Sequence, residues 1–138
     1  MRVAEVMTRD VVTVPVDAPI AEAAELMKNN DIGFLPVVAD DILVGVVTDR
    51  DLVVRGMCER ANPYLTPVRS VMSTTPVWCY AHDVLTDAAD ILADNRVHRL
   101  LVIDGAKRLV GLLSLDDLAA KMSSDRLLGD LVRHVSVA

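Results

Sequence analysis

The sequence predicts an α/β (α+β) protein built from two β-α-β-β-α repeats related by pseudo-two-fold symmetry. Three observations carry that prediction. Residues 3–42 align without gaps on residues 68–107, and after one inserted residue Leu43–Leu52 aligns on Leu109–Leu118, so the offset moves from 65 to 66. Self-similarity at a fixed period marks a repeat architecture. Within each copy, apolar residues recur at helical spacing in one stretch and form short continuous runs in two others. Finally, 52% of the 138 residues are hydrophobic but only 3% are aromatic, so the core must be made of Val, Leu, Ile, Ala and Met. One unit of about 50 residues buries its apolar faces poorly, whereas two copies in one chain bury them against each other.

The elements follow in the same order in each copy. A short extended segment comes first, Val11–Val14 and Val77–Tyr80. An amphipathic helix follows, in which Ile20, Ala23, Ala24 and Met27 fall at i, i+3, i+4 and i+7 and so share one face. Asp17 or Ala18 precedes its start and Pro19 occupies its first turn, where proline is tolerated. Two aliphatic strands, Leu35–Val38 and Ile42–Val47, flank the turn signal Asp40-Asp41. A second helix starts near Thr48 and runs to Arg55, with Gly56 as its stop. The domain boundaries are thus residues 1–56 for the first repeat, 57–67 for a linker marked by Asn62, Pro63 and Pro67, 68–122 for the second repeat, and 123–138 for a C-terminal amphipathic helix. In that tail Ser124 suits an N-cap, and Leu127, Leu128, Leu131, Val132 and Val135 form one stripe.

Composition narrows the function classes. A mean hydropathy of +0.36 argues against disorder. The longest apolar run, Ile42–Val47, is far short of the ~20 residues of a membrane-spanning helix. Residues 1–10 carry Arg2, Glu5, Arg9 and Asp10 where a secretory signal would be apolar, which points to the cytoplasm. The net charge is -6, from 20 acids and 14 bases, the wrong sign for a sequence-independent grip on nucleic acid. Cys58 and Cys79 form no CxxC pair and read as reduced, ordinary side chains.

The sharpest chemical motif is Gly45-Val-Val-Thr48-Asp-Arg-Asp51, matched by Gly111-Leu-Leu-Ser114-Leu-Asp-Asp117. A strand delivers a hydroxyl to a helix start, and an Asp follows three positions later. Free N–H groups at such a start attract phosphate. A hydroxyl there can donate to a phosphate or sugar oxygen, and the Asp can accept from both hydroxyls of a ribose diol. The same spacing is also a capping box, which starts a helix with no ligand involved. Periodicity leaves these two alternatives level. Val97-His98-Arg99-Leu100 adds a cationic pair at a strand mouth, suited to phosphate or to a solvated loop, whereas the first repeat has Ile32-Gly33-Phe34-Leu35 there. Arg9, Arg50 and Arg69 are further cations within this pattern.

These motifs together resemble the cystathionine β-synthase (CBS) domain, and the chain resembles a tandem CBS pair of the stand-alone bacterial type. The resemblance rests on Val-Met-Thr near the start, Asp-Ile-Gly-Phe-Leu-Pro-Val-Val, Gly-Val-Val-Thr-Asp-Arg-Asp-Leu and Val-His-Arg-Leu-Leu-Val-Ile-Asp, and spans roughly residues 1 to 122. It implies a regulatory module that binds adenosine-containing nucleotides (AMP, ADP or ATP) in clefts between the repeats and signals to a separate, unidentified effector protein. By the resemblance Asp51 and Asp117 bind ribose, while Thr48 and Ser114, with His98 and Arg99, approach phosphate or a ribose hydroxyl. Gly33, Phe34, Pro36, Val12 and Val77 line the clefts. Leu101 stands where proline is common and Gly33 offers no cation, so the two clefts are not equivalent. The alternatives are a ligand-free dimerisation scaffold and an S-adenosylmethionine sensor.

An enzyme finds little support. No phosphate-binding Gly-Lys loop, nucleophile elbow or paired His or Cys motif occurs, and His82, His98 and His134 lie in separate segments at no ligand spacing. No catalytic residue, no metal and no required cofactor are therefore expected; the adenine nucleotide acts as a regulatory ligand. The expected partners are that small molecule, a second copy of the chain as a homodimer, and the effector, with no nucleic acid and no membrane span.

Overall fold

The computed structural model of the chain describes residues 1–121. The tail helix expected over 123–138 lies outside these described residues. The chain divides into two units, one of Val12–Pro76 and the other of Met1–Val11 together with the chain from Val77 onward.

In the first of these units, β1 (Val14–Pro15) runs parallel to β2 (Phe34–Ala39), which pairs antiparallel with β3 (Ile42–Thr48), in the order β1-β2-β3. The Asp40-Asp41 signal becomes a two-residue turn with both residues left-handed, at φ 50° and 67°, the geometry that matches strand twist. The turn and a register shift between Val37 and Val38 together bring Phe34 opposite Thr48. The first strand is shorter than expected and starts at Val14.

Helix α1 (Ile20–Asn30) has Pro19 as its N-cap and not in its first turn. Ile20, Ala23 and Met27 are buried, whereas Ala24 is exposed, so the buried stripe is narrower than the spacing suggested. The helix ends on Asp31 in the left-handed region at φ 52°, with the Asp31 N–H donating to the Met27 carbonyl.

The second helix departs from expectation. One α-turn, α2 (Asp49–Asp51), continues as a π-helical stretch, Leu52–Met57. Gly56 does not stop it. It lies buried within the helix, and a Cβ there would stand 3.2 Å from Ile20 Cδ1, so glycine serves the close approach of α1. The chain then turns through Arg60, left-handed at φ 57°. Much of the segment 57–67 packs on the start of α1: the Ile20 N–H donates to the Thr66 carbonyl and the Ala21 N–H to the Pro63 carbonyl, each at 2.9 Å.

The other unit repeats this plan. Parallel β4 (Trp78–Tyr80) and β5 (Arg99–Ile103) are followed by antiparallel β6 (Leu109–Ser114), in the order β4-β5-β6. Between them lies α3 (Leu85–Asn95), and α4 (Leu115–Lys121) follows β6. The inserted residue of this repeat falls in the β5–β6 turn. There Asp104 accepts from the backbone N–H groups of Ala106 and Arg108, and the Arg108 N–H is the main reason its carboxyl is held below the usual range.

The leader segments are exchanged relative to the sequence repeats. Val3 and Met7 belong to the core with Leu92, Leu100, Val102, Leu113 and Leu118, and Thr8 bridges to Leu112. Val68 and Val71 belong to the core with Val14, Leu35, Val37 and Val47, and Ser73 bridges to Val46. Each Val-x-x-Val-Met leader thus seals the sheet of the repeat other than its own.

Cys79 lies in the first of these cores, and burial, followed by the charge of Asp83, pushes its thiol up to about 12, whereas Cys58 is exposed. A thiol so raised stays protonated and unreactive at pH 8. Iodoacetamide should therefore label Cys58 alone in the native protein and both cysteines after denaturation, read by intact mass. Rapid double labelling of the native protein would contradict the burial of Cys79.

Candidate functional site

Each candidate site is a strand end closing on a helix start. In the first unit β3 ends at Thr48, whose Oγ1 accepts from the Asp51 N–H at 3.1 Å; the Thr48 N–H donates back to Asp51 Oδ2 at 2.9 Å. In the other, Ser114 Oγ accepts from the Asp117 N–H at 3.0 Å and the Ser114 N–H donates to Asp117 Oδ2 at 3.2 Å. Both are reciprocal capping boxes, with Asp in the place usually taken by Glu or Gln. The short carboxylate is drawn tight against the backbone through Oδ2. Oδ1 of each Asp has no hydrogen bond from the described residues. All four residues are only partly buried, so these oxygens remain approachable.

The strand mouth beside each box is fixed by one backbone bond: the Asp49 N–H donates to the Gly33 carbonyl at 2.9 Å, and the Leu115 N–H to the His98 carbonyl at 2.7 Å. Gly33 and Phe34 therefore stand beside Thr48 and Asp51, and His98 and Arg99 beside Ser114 and Asp117. In register Phe34 faces Thr48 and Arg99 faces Ser114. The two mouths differ in charge. A Cβ on Gly33 would lie 2.9 Å from Asp49 Oδ2, so a carboxylate fills the space that a side chain at position 33 would take. At the second mouth a histidine replaces the glycine and Leu115 replaces that acid.

Other expected lining residues are placed less directly. Pro36 is buried in β2. Val12 and Val77 are partly buried and pack on their respective cores. Among the further cations, Arg9 donates to the Ala4 carbonyl at 3.1 Å and Arg69 pairs with Asp17 on the surface. The exchanged leaders contribute what sequence reasoning missed: the Thr8 backbone lies beside Leu112, two residues before Ser114, and that of Ser73 beside Val46, two residues before Thr48. The only signal for this was that the two leaders are interchangeable in pattern.

A separate groove of about 520 Å³ lies between α1 and the α2–π helix, lined by Ile20, Ala24, Met27, Leu52, Val53 and Met57 among others. Met57 is 73% exposed at its edge. No described helix is long and apolar enough to cross a membrane, and no cluster of three or more His, Cys, Asp or Glu suited to a metal occurs among the described residues.

Two β-α-β-β-α units, each closing a Gly-h-h-hydroxyl-x-x-Asp box at a strand mouth (h, apolar), define a tandem repeat module. Residues 3–56 and 68–124 both match the family model of the CBS domain. The chain belongs to the CBS domain family. It is 37% identical over 134 residues to the CBS domain-containing protein YhcV of Bacillus subtilis, covering 97% of this chain and 94% of that protein. It is similar in structure to Hypoxic Response Protein I, solved with two coordinated zinc ions (TM-score 0.77, 27% identity, covering 88% of this chain and 99% of the other). That protein's sequence counterpart is from Mycobacterium tuberculosis, 28% identical over 116 residues, covering 83% of this chain and 80% of it. It is also similar to CBSX2 in complex with AMP (TM-score 0.73, 28% identity, covering 86% and 93%). Inosine-5'-monophosphate dehydrogenase of Thermoplasma acidophilum is 35% identical over 118 residues, which cover 22% of that enzyme.

Proposed function

We propose that the protein is a regulatory binding module, not an enzyme, which takes an adenosine-containing nucleotide and passes its occupancy to a separate effector protein. The observation that carries this is the duplicated box: a carboxylate held through one oxygen, with the other open, beside a strand mouth. Asp51 and Asp117 would accept from a ribose diol through Oδ1. The AMP complex of the similar protein CBSX2 supports the same ligand class. Phosphate would go to the second repeat, where His98 and Arg99 supply positive charge, and be disfavoured at Gly33, where Asp49 supplies negative charge.

The closed capping boxes favour a second reading, a scaffold in which both Asp residues serve only to start helices. Calorimetric titration with AMP, ADP, ATP and S-adenosylmethionine separates the two. A sensor gives saturable heat, and Asp117→Ala weakens AMP binding by about tenfold or more, the loss of a charge-assisted hydrogen bond. As a lost cap, the same substitution lowers stability by about 1 kcal/mol. A scaffold shows the stability loss with no heat from any nucleotide.

The apolar groove supports self-association. A second copy laid on α1 and the π-helical stretch would cover Val53 and Met57, which are 51% and 73% exposed. Sedimentation at micromolar concentration should show a species of twice 15.0 kDa, and Val53→Lys with Met57→Lys should return it to monomer. A monomer in the parent protein would remove this part of the proposal.

A further inference from the structure

We propose that Trp78 is the stacking platform for the purine ring of the bound nucleotide, an inference that rests on the nucleotide-binding function proposed above and adds to it a residue that holds the base. Trp78, Tyr80 and His82 form a continuous ring ladder. The Trp78 and Tyr80 rings meet edge to face at 5.0 Å, and the Tyr80 and His82 rings stack at 4.9 Å with 15° between planes. The ladder is not buried: Trp78 is 40% exposed and His82 is exposed.

Three facts tie this ladder to the ligand site. The first is its face. Cys79, Leu100, Val102 and Leu113 point into the core with α3, so alternation along the strands puts Trp78, Tyr80, Arg99, Leu112 and Ser114 on the opposite face. The second is register. Trp78 pairs with Leu101, and Arg99 stands two residues before Leu101 and faces Ser114. Strand spacing and rise then separate the Cα atoms of Trp78 and Arg99 by roughly 8 Å. A nucleoside monophosphate can bridge that span, with its base on the indole and its phosphate toward the guanidinium. The third is that the fold does not require the rings. At the aligned positions the first repeat has Thr13 and Pro15 for Trp78 and Tyr80, and it builds the same three-stranded sheet. Tyr80 meets the indole edge to face and His82 stacks on Tyr80, and an indole 40% exposed can take a base by stacking, which is how proteins hold bases without reading their edges.

Trp78 is the single tryptophan of the chain, so its fluorescence reports the site directly. The full chain is excited on the red edge, where adenine does not absorb, and titrated with AMP, adenosine and ribose 5-phosphate. AMP and adenosine should change the emission saturably, and ribose 5-phosphate should not. By calorimetry, Trp78→Leu should weaken AMP about tenfold and Trp78→Phe should stay within about threefold of the parent, because a phenyl ring still stacks. Saturable AMP heat with unchanged fluorescence overturns the inference and leaves the nucleotide module standing, as does a Trp78→Leu protein that binds AMP like the parent. Absence of heat with every adenosyl ligand removes both. The fluorescence titration uses the parent protein, so poor folding of the leucine variant does not block the test.

Discussion

Val3→Asp should destabilise the protein by roughly 4 kcal/mol and loosen the sheet of the second repeat, not that of the first. Val3 is fully buried, in the core that holds Leu100, Val102, Leu113 and Leu118. A carboxylate placed there has no cationic partner within that apolar core. The leader is also stitched by backbone: the Val3 N–H donates to the Asp83 carbonyl and the Thr8 N–H to the Leu112 carbonyl, at 2.9 and 2.8 Å. Pushing Val3 out strains both. Amide hydrogen exchange should show lost protection along β4, β5 and β6, with β2 and β3 protected as before. Val68→Asp should do the reverse, because Val68 is fully buried with Val14, Leu35 and Val47. If Val3→Asp instead exposed β2 and β3 and spared β5 and β6, each leader would belong to its own repeat and the exchange described above would be wrong.

That exchange marks where the sequence stopped being legible. Local patterns were readable because local physics sets them. The spacing of Ile20, Ala23 and Met27 specifies a helix, and two aspartates between aliphatic runs specify a tight hairpin. The leaders pose a different question. Val3-x-x-Val6-Met7 and Val68-x-x-Val71-Met72 present the same knobs to sheets of the same shape, so pattern alone does not choose between them. Gly56 was misread for a related reason: glycine often ends a helix, but here it sits inside one, where a Cβ would press on Ile20 Cδ1. The helices α1 and α3 end without a glycine, since Asp31 and Arg96 both take left-handed conformations at φ 52° and 53°. At the sites, the hydroxyl-x-x-Asp motif was readable, and so was its double meaning. The reciprocal bonds of both boxes realise the capping meaning. The Trp78, Tyr80 and His82 ladder has period 2 in the sequence, but only the folded geometry shows these rings touching.

Gly45→Val and Gly111→Val should each cost about 2–4 kcal/mol and also reduce nucleotide binding. Neither glycine is needed for a left-handed backbone, since no glycine among the described residues has positive φ. Their role is clearance. A Cβ at Gly45 would stand 2.5 Å from the Ser73 carbonyl oxygen and 2.9 Å from Met72 Sδ, and one at Gly111 would meet Met7 Sδ and stand 3.0 Å from the Thr8 carbonyl oxygen. Backbone cannot swing aside as a side chain does, so the leader must lift. Lifting it breaks the paired bonds between Val46 and Ser73, at 3.0 and 2.8 Å, or between Thr8 and Leu112, at 2.8 and 2.9 Å. Two other glycines serve as controls. Gly105→Ala meets nothing within 4 Å and should be neutral, and Gly33→Ala meets only the side-chain carboxylate of the exposed Asp49, so it should cost little. The glycine of the Gly-h-h-hydroxyl-x-x-Asp motif then has a cause distinct from ligand approach: it lets the leader cross the strand that ends in the hydroxyl. Thermal melts of the four variants, each with and without AMP, check this. Gly45→Val and Gly111→Val melting with the parent would show that the leaders do not press on these strands, whereas a large loss in Gly105→Ala would show that clearance does not govern the series.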